Sequence, residues 1–357
     1  MADGQPAAMP VPGAVVVWSG PAPTIQAFRI PPDGLVIGRE LLDDTPDDRI
    51  SRQHARITWR DRRFVVTDLG SRNGTYIGGN PLVDREVTVT APSVVRTGRT
   101  VSVLLDDIRR FEDALVATLH DSVVGPSTAP LWRALEDAAH AGENLLIIGE
   151  PGTGKGRMAR GYARLRNRHE SVFNPTIQAV PLERVVSAAT ETLILEQVGK
   201  LGAQNLATLG QLIERPALRF VTTAVTPLES LGLPAEICAA LSTRSLALPP
   251  LRDRPDEMAF LVHDAVRAAE PGLQIHSTLV EVCLLRPWPG NVRELAAEVG
   301  RTAHTVAAQG KNNIRGEDLD NDAGHLMVGA PTINAASTPT ALSRPRRRRN
   351  SSRPSEG

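Results

Sequence analysis

GRELLDDTPDDRISRQHARITWRDRRFVVTDLGSRNGT, residues 38–75, holds three clusters in a fixed order: Gly38-Arg39, Ser51-Arg52-Gln53-His54 and Ser71-Arg72-Asn73-Gly74-Thr75. Ile57, Trp59, Phe64, Val65 and Val66 carry the apolar signal between them, in short runs that alternate like half-buried strands. The clusters therefore fall on loops of a β-structure. Their donors suit a phosphate group, which brings about two negative charges and three strong acceptor oxygens and is met by guanidinium groups and short donors. Arg39, Ser51 and Arg52 supply such donors, Asn73 can hold the backbone of a bound peptide through its amide, and Ser71 and Arg72 stand as secondary contacts. Gly74 permits a turn after Asn73 that would strain a β-branched residue. His54 is assigned to structure, bonding loop backbone rather than ligand. Singly these pieces say little, because Asn-Gly between apolar runs is a common hairpin signal. Their order is what points to a phosphopeptide-type site.

Working outward, 357 residues are enough for two or three domains. The formal net charge of zero gives no whole-molecule attraction to nucleic acid. Two cysteines, Cys238 and Cys283, without a CxxC pair suit a reducing interior and argue against a disulfide scaffold or a thiolate metal site. The apolar run Asn144–Ile148 has the length of a buried strand, far short of a membrane span, and the opening MADGQPAAMPVPG lacks the pattern of a signal peptide. A soluble, cytoplasmic protein with no membrane partner is expected.

The texture of the chain divides it into segments. Residues 1–13 read as disordered, and 14–108 as a succession of short strands with Gly, Pro and Asp turns, an all-β sandwich. Residues 109–121 form a linker, with a helix expected over 106–118. Alternating helical and strand patterns over 122–248 predict an α/β domain with a parallel sheet, and 249–320 is helical. Residues 321–357 lose periodicity and read as a disordered basic tail.

Gly149-Glu150-Pro151-Gly152-Thr153-Gly154-Lys155-Gly156 follows the predicted strand and precedes a helix beginning near Arg157. This is the setting of a Walker A loop, in which glycines let backbone N–H groups converge on phosphate oxygens and the lysine reaches the outer phosphates. Lysine is rare here, at positions 155, 200 and 311 only, so its use in the loop is informative. Arginine's broad fork does not replace a compact ammonium in such a nest. Gly156 stands where the generic motif has Ser or Thr to hold magnesium.

The 38–75 set resembles the forkhead-associated (FHA) domain, a β-sandwich whose loops read phosphothreonine on partner proteins. Residues 120–320 resemble the AAA+ domain of the sigma-54-dependent transcriptional activators. Val123–Thr128 is similar to that family's strand and loop beside the adenine, Gly149–Lys155 to its Walker A, Leu248–Pro255 to the segment leading into its helical lid, and Trp288-Pro-Gly-Asn-Val-Arg-Glu-Leu295 to its sensor II signature. The resemblance implies ATP as cofactor, with magnesium in doubt. It also implies that Trp288 packs the lid, that Arg293 reaches the phosphates, and that Glu196 belongs to the nucleotide site.

Against the family pattern several positions differ. Thr192–Val198 aligns with the Walker B strand, with Glu196 in place of Asp and Gln197 in place of the water-polarising Glu. Val225 stands where sensor I expects Asn, and Leu233–Leu241, aligned with the arginine-finger segment, contains no arginine; Arg244 follows it out of register. Lys155 and Glu196 are 41 residues apart, and nothing between Arg168 and Thr190 resembles the GAFTGA loop that contacts sigma-54. No helix-turn-helix pattern follows the lid. The expectation is a phosphothreonine-dependent signalling or transcription-regulatory adaptor that binds ATP and hydrolyses it poorly. The alternatives are an active AAA+ ATPase, or a regulator that co-assembles with other AAA+ activators or the transcription machinery. Arg344 and Arg346–Arg349 give the tail a short basic cluster whose expected role is solvation, with weak nucleic-acid binding as the alternative, while Thr338 and Thr340 could dock, once phosphorylated, on the FHA site of another copy.

Overall fold

A computed structural model describes residues 9–42, 47–166 and 169–325; the basic cluster, Thr338 and Thr340 lie outside them. The chain opens with β1 (Gly13–Ser19), β2 (Ala22–Arg29), β3 (Leu35–Ile37), β4 (Ala55–Arg60), β5 (Arg63–Asp68), β6 (Thr75–Ile77), β7 (Asn80–Pro81), β8 (Glu86–Val89), β9 (Ser93–Thr97) and β10 (Thr100–Leu105). They form two antiparallel sheets, β2-β1-β10-β9-β6-β7 and β3-β4-β5-β8. Val16, Ile37, Ile57, Phe64, Val66, Val95 and Leu104 fill the space between them. Asp61 and Arg62, both with positive φ, turn β4 into β5 as a type I′ hairpin requires.

The stretch after β10 is not the expected helix. It forms a single 3-10 turn, Arg109–Phe111, followed by a hairpin of β11 (Ala117–Leu119) and β12 (Ser122–Val124). Ile108 and Phe111 are its buried apolar residues, and their i, i+3 spacing fits one tight turn rather than a helical face. His120 and Asp121, with φ of 47° and 62°, close the hairpin.

The α/β unit follows: α1 (Ala129–Ala141), β13 (Leu145–Ile148), α2 (Lys155–Arg166), β14 (Glu170–Phe173), α3 (Leu182–Val185), β15 (Thr192–Leu195), α4 (Ala203–Ile213), β16 (Arg219–Ala224), α5 (Ala235–Leu241) and β17 (Arg244–Ala247). The strands make a parallel sheet in the order β14-β15-β16-β13-β17. Helices cover both faces: Trp132, Leu135, Met158 and Tyr162 pack on one, and Leu209, Leu212, Ile237 and Leu241 on the other. The lid consists of α6 (Pro255–Ala269), β18 (Gln274–Ile275), α7 (Ser277–Leu285), α8 (Asn291–Ala308) and β19 (Asn313–Ile314).

The sandwich and the lid share a core. Every residue of β1 is buried, because Ala14 and Val16 face the sandwich interior while Val15 and Val17 join Met258, Val262, Leu279 and Val280 of the lid. Its near-continuous apolar sequence, GAVVVWS, is the mark of a strand covered on both faces. At the same seam the Arg96 guanidinium donates to Glu281 at 2.6 Å, with side chains 11% and 3% exposed, and lies 3.8 Å from the Tyr76 ring centroid.

Residues 321–325, expected to begin the irregular tail, are instead packed on the lid. Trp288 N–H donates to the Gly324 carbonyl at 2.9 Å, Arg286 donates to the carbonyls of Asp320 and Ala323, and a Cβ on Gly324 would lie 2.8 Å from the Trp288 ring. The contacts use backbone groups, which side-chain periodicity does not report.

Candidate functional site

Residues 38–42 and 47–54, with the loop 69–74, bring the first candidate set together. Gly38 passes so close to the 52–53 backbone that a Cβ would lie 2.0 Å from the Arg52 carbonyl oxygen, which explains a glycine before Arg39. Arg39 Nε donates to the Ile50 carbonyl at 3.2 Å, and Ser51 Oγ accepts from the Arg72 N–H at 3.2 Å. Arg39, Arg52 and Arg72 are exposed on these loops. His54, fully buried, accepts the Ser51 N–H at Nδ1 and meets the Gly74 carbonyl at 3.0 Å through Nε2, the structural part expected of it. Burial pushes its pKa down, against the pull of the Gly74 carbonyl.

Two residues have partners different from those the sequence suggested. Asn73 Nδ2 donates to the Arg49 carbonyl at 2.6 Å, so its amide ties one loop to the other. Ser71 Oγ donates to Asp68 Oδ2 at 2.7 Å. Asp68, absent from the sequence-based set, organises the turn by also accepting from Thr75 Oγ1 and from the N–H groups of Gly70 and Ser71. Burial alone would raise its pKa; these bonds outweigh it and hold the carboxyl below its usual range. An Asp just ahead of a Gly-Ser pair was the available signal, since such carboxylates bond their own turns.

The second set lies at the carboxyl end of β13, where the chain turns through 149–154 into α2. Gly152 and Gly154 have φ of 77° and 109°, the left-handed region that glycine occupies without strain. Lys155 Nζ donates to the carbonyls of Gly149 and Glu150 at 2.7 and 2.8 Å. Burial first, then the nearby Arg293 charge, brings its amine down to about 8, against the pull of Glu150 and Glu196. Arg293 N–H donates to the Gly152 carbonyl at 3.3 Å, and a Cβ on Gly152 would lie 1.9 Å from the Gly290 carbonyl oxygen. The sensor II-like segment thus rests directly on the loop. A cleft beside it is lined by Val123, Thr153, Met158, Leu248, Leu261 and Val292.

Further residues lock this arrangement. Asn291, fully buried, donates to Glu150 Oε2 and the Pro151 carbonyl while accepting the Leu251 N–H at 2.7 Å. Glu150 also accepts two bonds from Arg252, which hold its pKa down against burial. Arg254 donates to the Thr153 carbonyl and to Glu257, which accepts from Gly125 N–H and Thr128 Oγ1; Asp256 accepts from Ser127. The segments 123–128, 149–155, 248–255 and 288–295 therefore meet in one place.

Glu196 lies beside Gly156. A Cβ at Gly156 would sit 2.8 Å from Glu196 Oε1 and 3.4 Å from Arg160 Nη1. Glu196 Oε2 accepts from Asn174 Nδ2 at 2.9 Å and Oε1 faces Arg160 at 3.5 Å. The fit to magnesium is poor: position 156 offers no side-chain oxygen, Glu196 already accepts from Asn174, and a permanent cation, Arg160, stands alongside. Gln197, with φ of 53°, turns its amide to Thr176 Oγ1 at 3.1 Å. Arg244 pairs with Glu143 at 2.6 Å at the start of β17, the end of the sheet away from the loop. Among the described residues no group of His, Cys, Asp and Glu forms a metal cluster, and no helix is long and apolar enough to cross a membrane.

Residues 35–98 match the FHA domain family, and residues 125–251 match the Sigma-54 interaction domain family. The chain carries an FHA domain followed by a sigma-54 interaction domain of AAA+ fold. It is similar to the DNA-binding transcriptional regulator NtrC of Rhizobium meliloti (strain 1021), 27% identical over 270 residues, covering 62% of this chain and 55% of that protein. It is similar too to the alginate biosynthesis transcriptional regulatory protein AlgB of Pseudomonas aeruginosa, 24% identical over 246 residues, covering 56% of this chain and 54% of that one. The chain spans about half the length of these curated relatives. Among solved structures, NtrX from Brucella abortus in complex with ATP aligns at TM-score 0.47 and 18% identity, covering 55% of each chain. The Thermotoga maritima RuvB Holliday junction branch migration motor aligns at TM-score 0.41 and 17% identity, covering 54% of this chain and 65% of that one.

Proposed function

We propose that this chain is a phosphothreonine-dependent adaptor in signalling or transcription regulation, whose AAA+ domain binds ATP and turns it over poorly. The observation that carries the reading is the pairing of two phosphate-suited loops with Gln197, an amide that cannot take a proton at the position where the resemblance expects the water-polarising Glu, and that bonds Thr176 Oγ1 at 3.1 Å. An amide can orient water but cannot act as general base, a loss of about 10²–10⁴-fold. The partner on the FHA side is a phosphothreonine-bearing protein, met by Arg39, Ser51, Arg52 and Asn73, with Ser71 and Arg72 as secondary contacts. On the AAA+ side, Lys155 and Arg293 face the phosphates across the 149–156 loop, and co-assembly with other AAA+ activators or the transcription machinery is the natural outlet for a domain of this family. The placement of Lys155 and Arg293 at the same loop, Lys155 on the Gly149 and Glu150 carbonyls and Arg293 N–H on the Gly152 carbonyl, favours the second reading, an active ATPase.

ATP binding by calorimetry and phosphate release on the same purified chain separate the two. The expected result is ATP affinity that is lost in Lys155→Ala, with phosphate release near background. Brisk release that Lys155→Ala abolishes would establish the ATPase instead.

On the FHA side, Arg39→Ala should weaken binding to a phosphothreonine peptide at least about tenfold, since it removes a charge-assisted contact worth about 1.5–3 kcal/mol. Fluorescence anisotropy with phosphorylated and plain peptides measures this. Equal binding of the two peptides by the wild-type chain would end the phosphopeptide reading.

A further inference from the structure

The seam between the FHA loops and the lid gathers arginines that neither phosphate loop uses. Arg49 is joined to the phosphopeptide loops through its carbonyl, which accepts from Asn73 at 2.6 Å. The β9–β10 turn packs on it, since a Cβ at Gly98 would lie 2.7 Å from the Arg49 carbonyl carbon, and so Arg99 follows at its side. Asp48 sits between the two, 4.0 Å from Arg49 and 3.4 Å from Arg99, and the buried Asp47 carboxylate accepts from the backbone N–H groups of both. The lid adds Arg315. Ile275 pairs with Ile314, and His276 N–H donates to the Ile314 carbonyl at 2.9 Å, so Arg315 emerges beside His276 at the start of α7.

The β9–β10 turn reaches α7 here: Arg96 donates to Glu281, near His276 on that helix, and contacts the Gly98 carbonyl at 3.4 Å. Burial first, then the charges of Arg315, Arg96, Arg99 and Arg49, brings the His276 pKa down to about 4. Arg96 is itself answered by Glu281 and is shut away from solvent. Arg49 and Arg99 are 57% and 41% exposed at the side chain, and Arg315 is exposed as well. Exposed guanidinium groups from both domains thus border this seam, Arg49 bonded to Asn73 through its carbonyl and Arg315 beside His276.

We propose that the FHA–lid seam is a second anion subsite, built from Arg49, Arg99 and Arg315, that takes an acidic or phosphorylated side chain flanking the phosphothreonine of the same peptide. The inference rests on the phosphopeptide reading above and adds a selectivity to which the AAA+ lid contributes. A carboxylate or a second phosphate on the peptide would be held by guanidinium forks, and exposed pairs of this kind weaken with salt.

The test uses the full chain and three phosphothreonine peptides, with flanking positions filled by alanine, by glutamate or by a second phosphoserine. Wild-type protein should bind both acidic peptides at least about fivefold more tightly than the alanine peptide, an advantage that shrinks between about 0.05 and 0.5 M salt. Arg315→Ala, in the lid and away from the FHA loops, should erase most of that advantage while leaving the alanine peptide within about twofold; Arg99→Ala should act likewise. Equal binding of the three peptides, or an advantage that survives Arg315→Ala and Arg99→Ala, overturns the subsite while the phosphopeptide reading stands. Failure of every phosphothreonine peptide to bind overturns both together.

Discussion

Glu281→Ala is expected to destabilise the protein by about 3–5 kcal/mol, the range found when one partner of a buried ion pair is removed. The deletion leaves the Arg96 guanidinium enclosed, with the Tyr76 ring and a 3.4 Å contact to the Gly98 carbonyl as its remaining neighbours. A charge so placed is costly because burial has already stripped its water. The pair itself need not be a net gain over an apolar one, so Arg96→Met/Glu281→Leu should recover most of the loss. Urea unfolding followed by circular dichroism measures both variants. A single-variant cost under about 1 kcal/mol would mean that solvent reaches the pair and that the seam is loose.

Trp288→Ala is expected to cost about 3–5 kcal/mol, as large aromatic deletions in cores do. The ring is fully buried, its indole N–H donates to the Cys283 carbonyl at 2.7 Å, and the Gly324 backbone lies against its face. The substitution opens a cavity in the lid core and frees residues 320–325. It also loosens Gly290 and Asn291, which hold the phosphate loop, so ATP affinity should fall with stability. Trp288→Phe keeps much of the packing and loses the indole bond, so about 1–2 kcal/mol is expected of it. The same urea titrations decide; a near-neutral Trp288→Ala would show that the 288–295 segment is not anchored by its tryptophan.

What the sequence disclosed and what it withheld divide along the range of the interactions. The 38–75 clusters, the 149–156 loop and the helix Ala129–Ala141 are local patterns, and the chain folds locally as they say. The linker misled because Ile108 and Phe111 satisfy one helical turn as well as a 3-10 turn, and the hairpin that follows depends on left-handed His120 and Asp121, residues that do not advertise it. Arg96 and Glu281 are 185 positions apart, and Asn291 and Glu150 141 apart; a single long-range pair leaves no periodic trace. The side chains of Asn73 and Ser71 bond Arg49 and Asp68, bonds that residue type does not disclose, since the same donors serve a turn as readily as a peptide.

The double-sided burial of β1 joins the FHA sandwich and the helical lid into one packed unit. Residues 288–295 rest against Gly152, and the sandwich that carries loop residues 47–54 and 69–74 shares its core with the helices. On the reading proposed above, a partner held by those loops would be carried by the same packed unit as α8 instead of hanging from a slack tether.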